Sequence, residues 1–325
     1  MTRSNRSQTL CVGTAGLSVW FSDDLGESWA RPYSESGLYL ESRVWALAQH
    51  PALPGIVFAG TDSGVYRGDV RTRQWTHLPS AMDRLAVWSL ALHPDDPQVM
   101  VAGVQPAALY RTADGGATWR KVRHKFAERC IFVDRPRVTQ LLFDPDDPNV
   151  MWAGVEIDGV HRSADGGRTW TKLVDGLVSQ DIHGLAVDRN GGRTIYCATN
   201  KGLHVSRDEG RHWRFRELPS PWQYCRAVQV GPDGRRLFLT NGNGPPGSTG
   251  RLLVSDDHGA NWRDAGLPGE LNSTPWIVAM NPADRDLLFC GTNLGQLFRS
   301  TDGGRSWLKL KREFGELRTL AWLAH

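Results

Sequence analysis

Thr112-Ala-Asp-Gly-Gly-Ala-Thr-Trp119 is one of six copies of Ser/Thr-x-Asp-x-Gly-x-x-Trp in this chain. The others run from Ser22 to Trp29, Ser163 to Trp170, Ser206 to Trp213, Ser255 to Trp262 and Ser300 to Trp307. A seventh, degenerate copy keeps Trp75 but has Gly68, Val70 and Thr72 where the polar residues and the glycine should stand. Successive motif tryptophans lie 46, 44, 51, 43, 49 and 45 residues apart, by subtraction of their numbers. A regular period of this length marks a radial or solenoidal array, in which each unit buries its apolar faces against its neighbours.

The stretch leading into Thr112 shows what one unit contains. Val87-Trp-Ser-Leu-Ala-Leu-His93 is an apolar strand pattern, broken by the turn Pro94-Asp-Asp-Pro97. Val99–Val104 and Ala108–Arg111 are a second and third strand around Gln105-Pro-Ala107, and Thr118–Val122 is a fourth after the Asp motif. Four short antiparallel strands make a propeller blade. Seven such units use all 325 residues, so residues 1–325 are expected to form a single all-β, seven-bladed domain. Thr9–Thr14 matches a second strand with no first strand before it, and Leu317–His325 matches a first strand with nothing after it. Together they are expected to close the first blade and remove the open sheet edges of the ring. The motif itself suits a fold-stabilising hairpin: Asp and Ser/Thr bond turn amides, Gly takes a positive φ, and Trp anchors the turn between sheets.

Composition narrows the function classes. With 38 basic and 35 acidic residues interspersed, net charge is +3, and no concentrated basic stripe points to nucleic acid. Met1–Thr9 is polar, no run reaches membrane-spanning length, and the five cysteines lack CxxC spacing, so a cytoplasmic location without membrane contact is expected. The Asp pairs in the first-to-second turns lack the ligand spacing of a calcium loop, and neither a metal nor a cofactor is expected.

These repeats resemble the Asp-box (bacterial neuraminidase repeat) propellers over the whole chain. That family includes sialidases, tandem-propeller xyloglucanases, the sortilin luminal domain and the photosystem II assembly-factor propeller. The resemblance implies the fold and leaves activity open, because in the family the motif lies on the face away from the sialidase active site. Sialidases have six blades and an Arg-Ile-Pro-type motif before the first; here there are seven, and Arg31-Pro32 follows the first Asp box. Xyloglucanases of this kind place one carboxylate on each of two propellers, and one propeller is present. The assembly factor shares the blade number and an arginine-rich patch, and models a non-catalytic partner binder.

Strand order separates two faces. First-to-second turns and Asp-motif turns share one, here the turn face; second-to-third turns and inter-blade links share the other, the mouth face. The mouth face carries the irregular segments: Ser34–Ser42, His124–Arg137 and the glycine-rich loop Asn241–Gly250. Insertions gathered on one face of a repeat protein mark its binding face. Each first strand begins there beside the central channel. Aligning these strands puts Trp45, Trp88, Thr139, His183, Arg226, Trp276 and Arg318 at one ring position, with Arg43, Arg137, Tyr224 and Glu316 two residues earlier on the same side. Asp62, Glu156, Asp158, Asn200 and Asn293 come from the adjoining turns.

The tryptophans suit inter-blade packing or an aromatic rim. The arginines suit an anionic ligand or ion pairs with Glu41, Asp181 or Glu316. His183 and Cys225 open neighbouring blades as a candidate Cys–His pair, and Glu156 and Asp158 with Tyr224 are candidates for acid–base or glycosidic chemistry. The expected function is a binding scaffold whose mouth holds an anionic small molecule, glycan or protein segment. The alternative is a glycoside hydrolase-like enzyme at the same mouth.

Overall fold

The computed structural model describes residues 8–131, 133–189, 193–231 and 234–325. Residues 1–7 of the polar N-terminal segment and residue 132 of the long link therefore lie outside the described residues. Seven antiparallel sheets follow one another around a ring. The third blade runs Ala86–Leu92, Met100–Gln105, Ala108–Thr112 and Arg120–Lys121, within a residue or two of the strands read from the sequence. Ring closure occurs where the ends meet: Leu317–Ala324 pairs antiparallel with Gln8–Thr14, from Gln8↔Ala324 through Leu10↔Trp322 to Thr14↔Leu317. In that first blade the third strand is Val19–Ser22, and the outermost position shrinks to one bridge, Phe21↔Ala30.

The ring has seven apolar clusters, one in each gap between adjacent blades. Val160, Ile182, Ile195 and Trp213 join the fourth blade to the fifth, for example. Each sheet is thus buried on both faces, which is why the strands read as near-continuous apolar runs rather than alternating ones.

The Asp-motif turns repeat one hydrogen-bond scheme. In the fourth blade the Ser163 hydroxyl donates to Asp165 Oδ1 at 2.8 Å and accepts from the Gly167 amide at 2.9 Å. Asp165 also takes the Thr169 amide and hydroxyl at 2.9 and 2.6 Å, and the Trp170 indole donates to the Gly167 carbonyl at 3.1 Å. Gly166 and Gly167 have φ of +67° and +84°, which explains the glycine. The degenerate copy keeps the device with a substitute: Asp69 accepts the Arg71 and Thr72 amides at 2.9 and 2.8 Å. Ser163 is buried, so Ser163→Ala strands the Gly167 amide. Its expected cost is about 1–3 kcal/mol in a denaturant titration, with unchanged channel residues.

Candidate functional site

Every first strand breaks its ladder with a β-bulge, and each break falls at the ring position. The register shifts lie between Val44 and Ala46, Val87 and Ser89, Val138 and Gln140, Ile182 and Gly184, Cys225 and Val228, and Pro275 and Ile277. In the closing strand Arg318 is the residue passed over, opposite Gly13 and Thr14. A bulge re-aims the extra residue, and here it frees the side chain to enter the channel while its neighbours pack in different gaps. Val44 joins the cluster between blades one and two, and Ala46 the cluster between blades two and three. All seven aligned residues, Trp45, Trp88, Thr139, His183, Arg226, Trp276 and Arg318, line one channel space of about 270 Å³.

Above them the mouth opens into a cavity of about 850 Å³. Of the residues placed at the mouth from the sequence, Arg137, Glu156, His183, Asn200, Tyr224, Arg226, Trp276, Asn293, Glu316 and Arg318 line it with Asn243–Pro246 of the glycine-rich loop, and Asp181, read from the sequence only as an ion-pair partner, joins them. Trp45 and Trp88 lie deeper, stacked with ring centroids 4.1 Å apart. Arg137 covers Trp88 at 4.0 Å and Arg318 covers Trp45 at 5.0 Å, so the pair is enclosed by two guanidinium groups.

Two expected members are elsewhere. Arg43 is exposed and lines neither space; its backbone amide donates to Asp62. Asp158 is also displaced, because Ile157 takes a left-handed φ of +55°, so Glu156 and Asp158 do not share a side as consecutive alternate strand residues would. Asp158 is buried instead under the long link. It accepts from Lys172 Nζ at 2.6 Å and the Ala127 amide at 2.9 Å, and His161 Nε2 lies 3.5 Å from it. Burial would raise its pKa, but the His161, Lys172 and Ala127 bonds hold it down at about 2. Asp158 anchors the link and does not line the mouth cavity.

His183 does not form a Cys–His pair. Its Nδ1–H donates to the Cys225 carbonyl at 2.7 Å, a blade-to-blade clasp repeated by Thr139 Oγ1 to the Ile182 carbonyl at 2.7 Å. The Cys225 sulfur faces the Gln223 carbonyl and the Asn241 amide, and burial pushes its thiol up to about 12, so no nucleophilic thiolate is available. Tyr224 is likewise raised to about 12, chiefly by burial.

Charge pairing at the mouth is uneven. Arg137 meets Glu156 at 2.8 Å, Arg318 meets Glu316, and His183 Nε2 meets Asp181 at 3.3 Å. Arg226 lies over Trp276 at 4.3 Å and, among the described residues, has no carboxylate within ion-pair reach. Burial lowers the pKa of Arg226. Burial, and then the charges of Arg226, Arg137 and Arg43, lowers Arg318 to about 9. The two buried carboxylates are pushed apart. Burial, reinforced by Asp181, raises Glu156 against the opposing Arg137. Burial also pushes Asp181 up, but the His183 bond and charge, with Arg226 and Arg137, bring it below the usual range.

No family model matches the chain. It is 28% identical over 111 residues to the photosystem II assembly lipoprotein Ycf48 of Synechococcus sp. (strain CC9902), covering 34% of this chain and 31% of that protein. It is 24% identical over 323 residues to a probable oligoxyloglucan-reducing end-specific xyloglucanase of Neosartorya fischeri, covering 81% of this chain and 39% of that one. The chain thus spans between about a third and two fifths of the length of these curated relatives. Among solved structures it superposes on the GH74 xyloglucanase from Xanthomonas campestris with a TM-score of 0.65 at 24% identity, over 82% of this chain and 45% of that one. It superposes on Ycf48 bound to D1 peptide with a TM-score of 0.55 at 15% identity, over 82% and 84%. The chain is a seven-bladed β-propeller similar to those of GH74 xyloglucanases and Ycf48. At these identities the likeness concerns the fold. Among the described residues, no helix is long and apolar enough to cross a membrane.

Proposed function

We propose that this propeller is a binding scaffold that receives the anionic group of a glycan, small molecule or protein segment at its channel mouth. Arg226 carries the reading. It is half-buried, over the Trp276 ring at 4.3 Å, and lines a cavity where Arg137 and Arg318 already have carboxylate partners. An arginine so placed is short of a counter-charge, and its planar fork suits a carboxylate bidentately. One relative in the fold comparison is Ycf48 bound to D1 peptide, which fits use of such a propeller as a platform. A reducing, cytoplasmic setting suits Cys11, Cys197, Cys225 and Cys290, which are buried free thiols.

The test is calorimetric titration with succinate as probe. Arg226→Ala is expected to weaken binding about 10- to 100-fold, the loss of a charge-assisted pair worth about 1.5–3 kcal/mol. Arg226→Lys, which keeps the charge without the fork, should fall between. Equal affinity in all three proteins would remove Arg226 from the site.

The divergence of Glu156 and Asp181 favours a second reading, glycoside hydrolase-like chemistry at the same mouth. A carboxyl whose pKa is pushed up beside one whose pKa is pushed down is the pattern that sets a general acid against its partner. On this reading Glu156→Gln lowers hydrolysis of a panel of aryl glycosides by about 10²–10⁴-fold while the melting temperature holds. A hydrolytic activity that survives the change ends it.

A further inference from the structure

Large apolar side chains are unequally exposed on the two faces. On the mouth face Leu17, Tyr39, Ile131, Val178 and Leu294 are exposed by 42%, 70%, 90%, 58% and 41%. Among the described residues Leu25, at 38%, is on the turn face, Tyr33, at 56%, accepts through its hydroxyl from Gln74 of a turn-face hairpin, and Phe215 and Leu308, at 41% and 53%, lie on outer fourth strands. The mouth-face residues come from separate segments: two second-to-third turns and three inter-blade links. No local sequence feature requires apolar residues there, because links of this kind are usually polar.

The exposed residues surround the charged mouth. Leu294 lines the cavity itself. Leu17 approaches Gly315, which precedes the lining residue Glu316, and the next turn residue, Ser18, bonds through its amide to the Ser42 carbonyl in the link that carries Tyr39. Across the mouth, Val178 adjoins Ser179, whose hydroxyl bonds to the lining residue Asn200 at 2.6 Å, and Ile131 lies two residues from Val133 in the cavity wall. Apolar side chains around a polar centre form a surface that a macromolecule covers and a small ion leaves in water.

We propose that the occupant of the mouth face is a protein segment with an acidic residue flanked by apolar ones. This rests on the mouth reading and selects one of its ligand classes. The acidic side chain enters the cavity toward Arg226, and the flanking side chains spread onto the Tyr39–Leu17–Leu294 side and the Ile131–Val178 side. Charge complementarity comes from Arg226, which has no carboxylate partner among the described residues, and affinity from the apolar rim, with Tyr39 as an anchor. A free sugar acid or small carboxylate would satisfy Arg226 and leave the rim wet.

A random library of peptides about twelve residues long, displayed on phage and selected on the full chain, tests this. The enriched peptides are expected to share Asp or Glu between Leu, Ile, Phe, Tyr or Trp. Synthesised singly, they should lose about tenfold or more in affinity with Tyr39→Ser plus Ile131→Ser, and likewise with Arg226→Ala. Both rim residues are exposed, so the melting temperature of the double variant should match the parent, and succinate affinity should be unchanged. Peptides that depend on Arg226 but bind the rim variant like the parent would overturn the proposal and leave the anion site standing. Peptides that depend on neither, or no enrichment on the parent chain with succinate also failing to bind, would overturn both. No enrichment with succinate still binding through Arg226 would overturn the protein-segment proposal alone.

Discussion

A chain ending at Gly315 is expected to lose its cooperative fold. The segment removed contains Leu317–Ala324, the innermost strand of the first blade. Leu317, Leu320 and Trp322 pack into the gap with the seventh blade, and Leu323 into the gap with the second. One strand therefore serves two of the seven interfaces, and its loss also opens the ladder edge of Gln8–Thr14. Returning four such side chains to water costs about 6–12 kcal/mol at 1.5–3 kcal/mol each, against a total stability of about 5–15 kcal/mol for an ordinary domain. Circular dichroism with thermal melting checks it. The truncated chain should be insoluble or lack a cooperative transition, and a soluble product melting like the parent would contradict closure by this strand.

Asp158→Ala should be the most destabilising single change among the candidate site residues. It leaves the buried His161 and the exposed Lys172 without their carboxylate and the half-buried Ala127 amide without an acceptor. Leaving a buried donor without its acceptor costs about 1–3 kcal/mol, and the exposed Lys172 adds less than about 1 kcal/mol. The same group gives acid sensitivity with a definite sign. Its pKa is about 2 in the folded protein, below the unfolded carboxylate near 3.9, so the stability it contributes is fully present above about pH 4. That contribution, about 2–3 kcal/mol, is lost as the pH falls through about 2. Urea titrations of parent and variant between neutral pH and pH 2 should converge as the acid limit is approached. A constant difference across the range would mean that Asp158 acts by packing alone. Because the link holds Val133 and Arg137 at the mouth, the variant should also be nicked faster by proteases between residues 124 and 131.

The fold was legible because its signal is periodic. Motif tryptophans, apolar strand runs and matching half-blades at the two ends each repeat information that a single blade would leave ambiguous. The ring position was legible for the same reason: Trp45, Trp88 and Trp276 sit at one offset within aligned apolar runs. The bulges that turn these residues into the channel were not visible, since a register shift depends on the partner strand and on the next blade. The error at Asp158 has a local cause, the left-handed Ile157, which no rule for a β-branched residue anticipates. Asp181 had entered only as an ion-pair partner for arginine. Its place beside His183 follows from the clasp between His183 and Cys225, a contact 42 residues long. The pairing of Arg137 and Arg318 but not Arg226 likewise follows from which carboxylate each blade brings to the mouth.

The measurement that bears most directly on the mouth is a crystal structure of the full chain soaked in succinate. The account predicts a carboxylate held by both guanidinium nitrogens of Arg226 against Trp276, with the Arg137–Glu156 and Arg318–Glu316 pairs intact. A mouth without bound anion, and Arg226 turned onto Glu156 or Asp181, would contradict it.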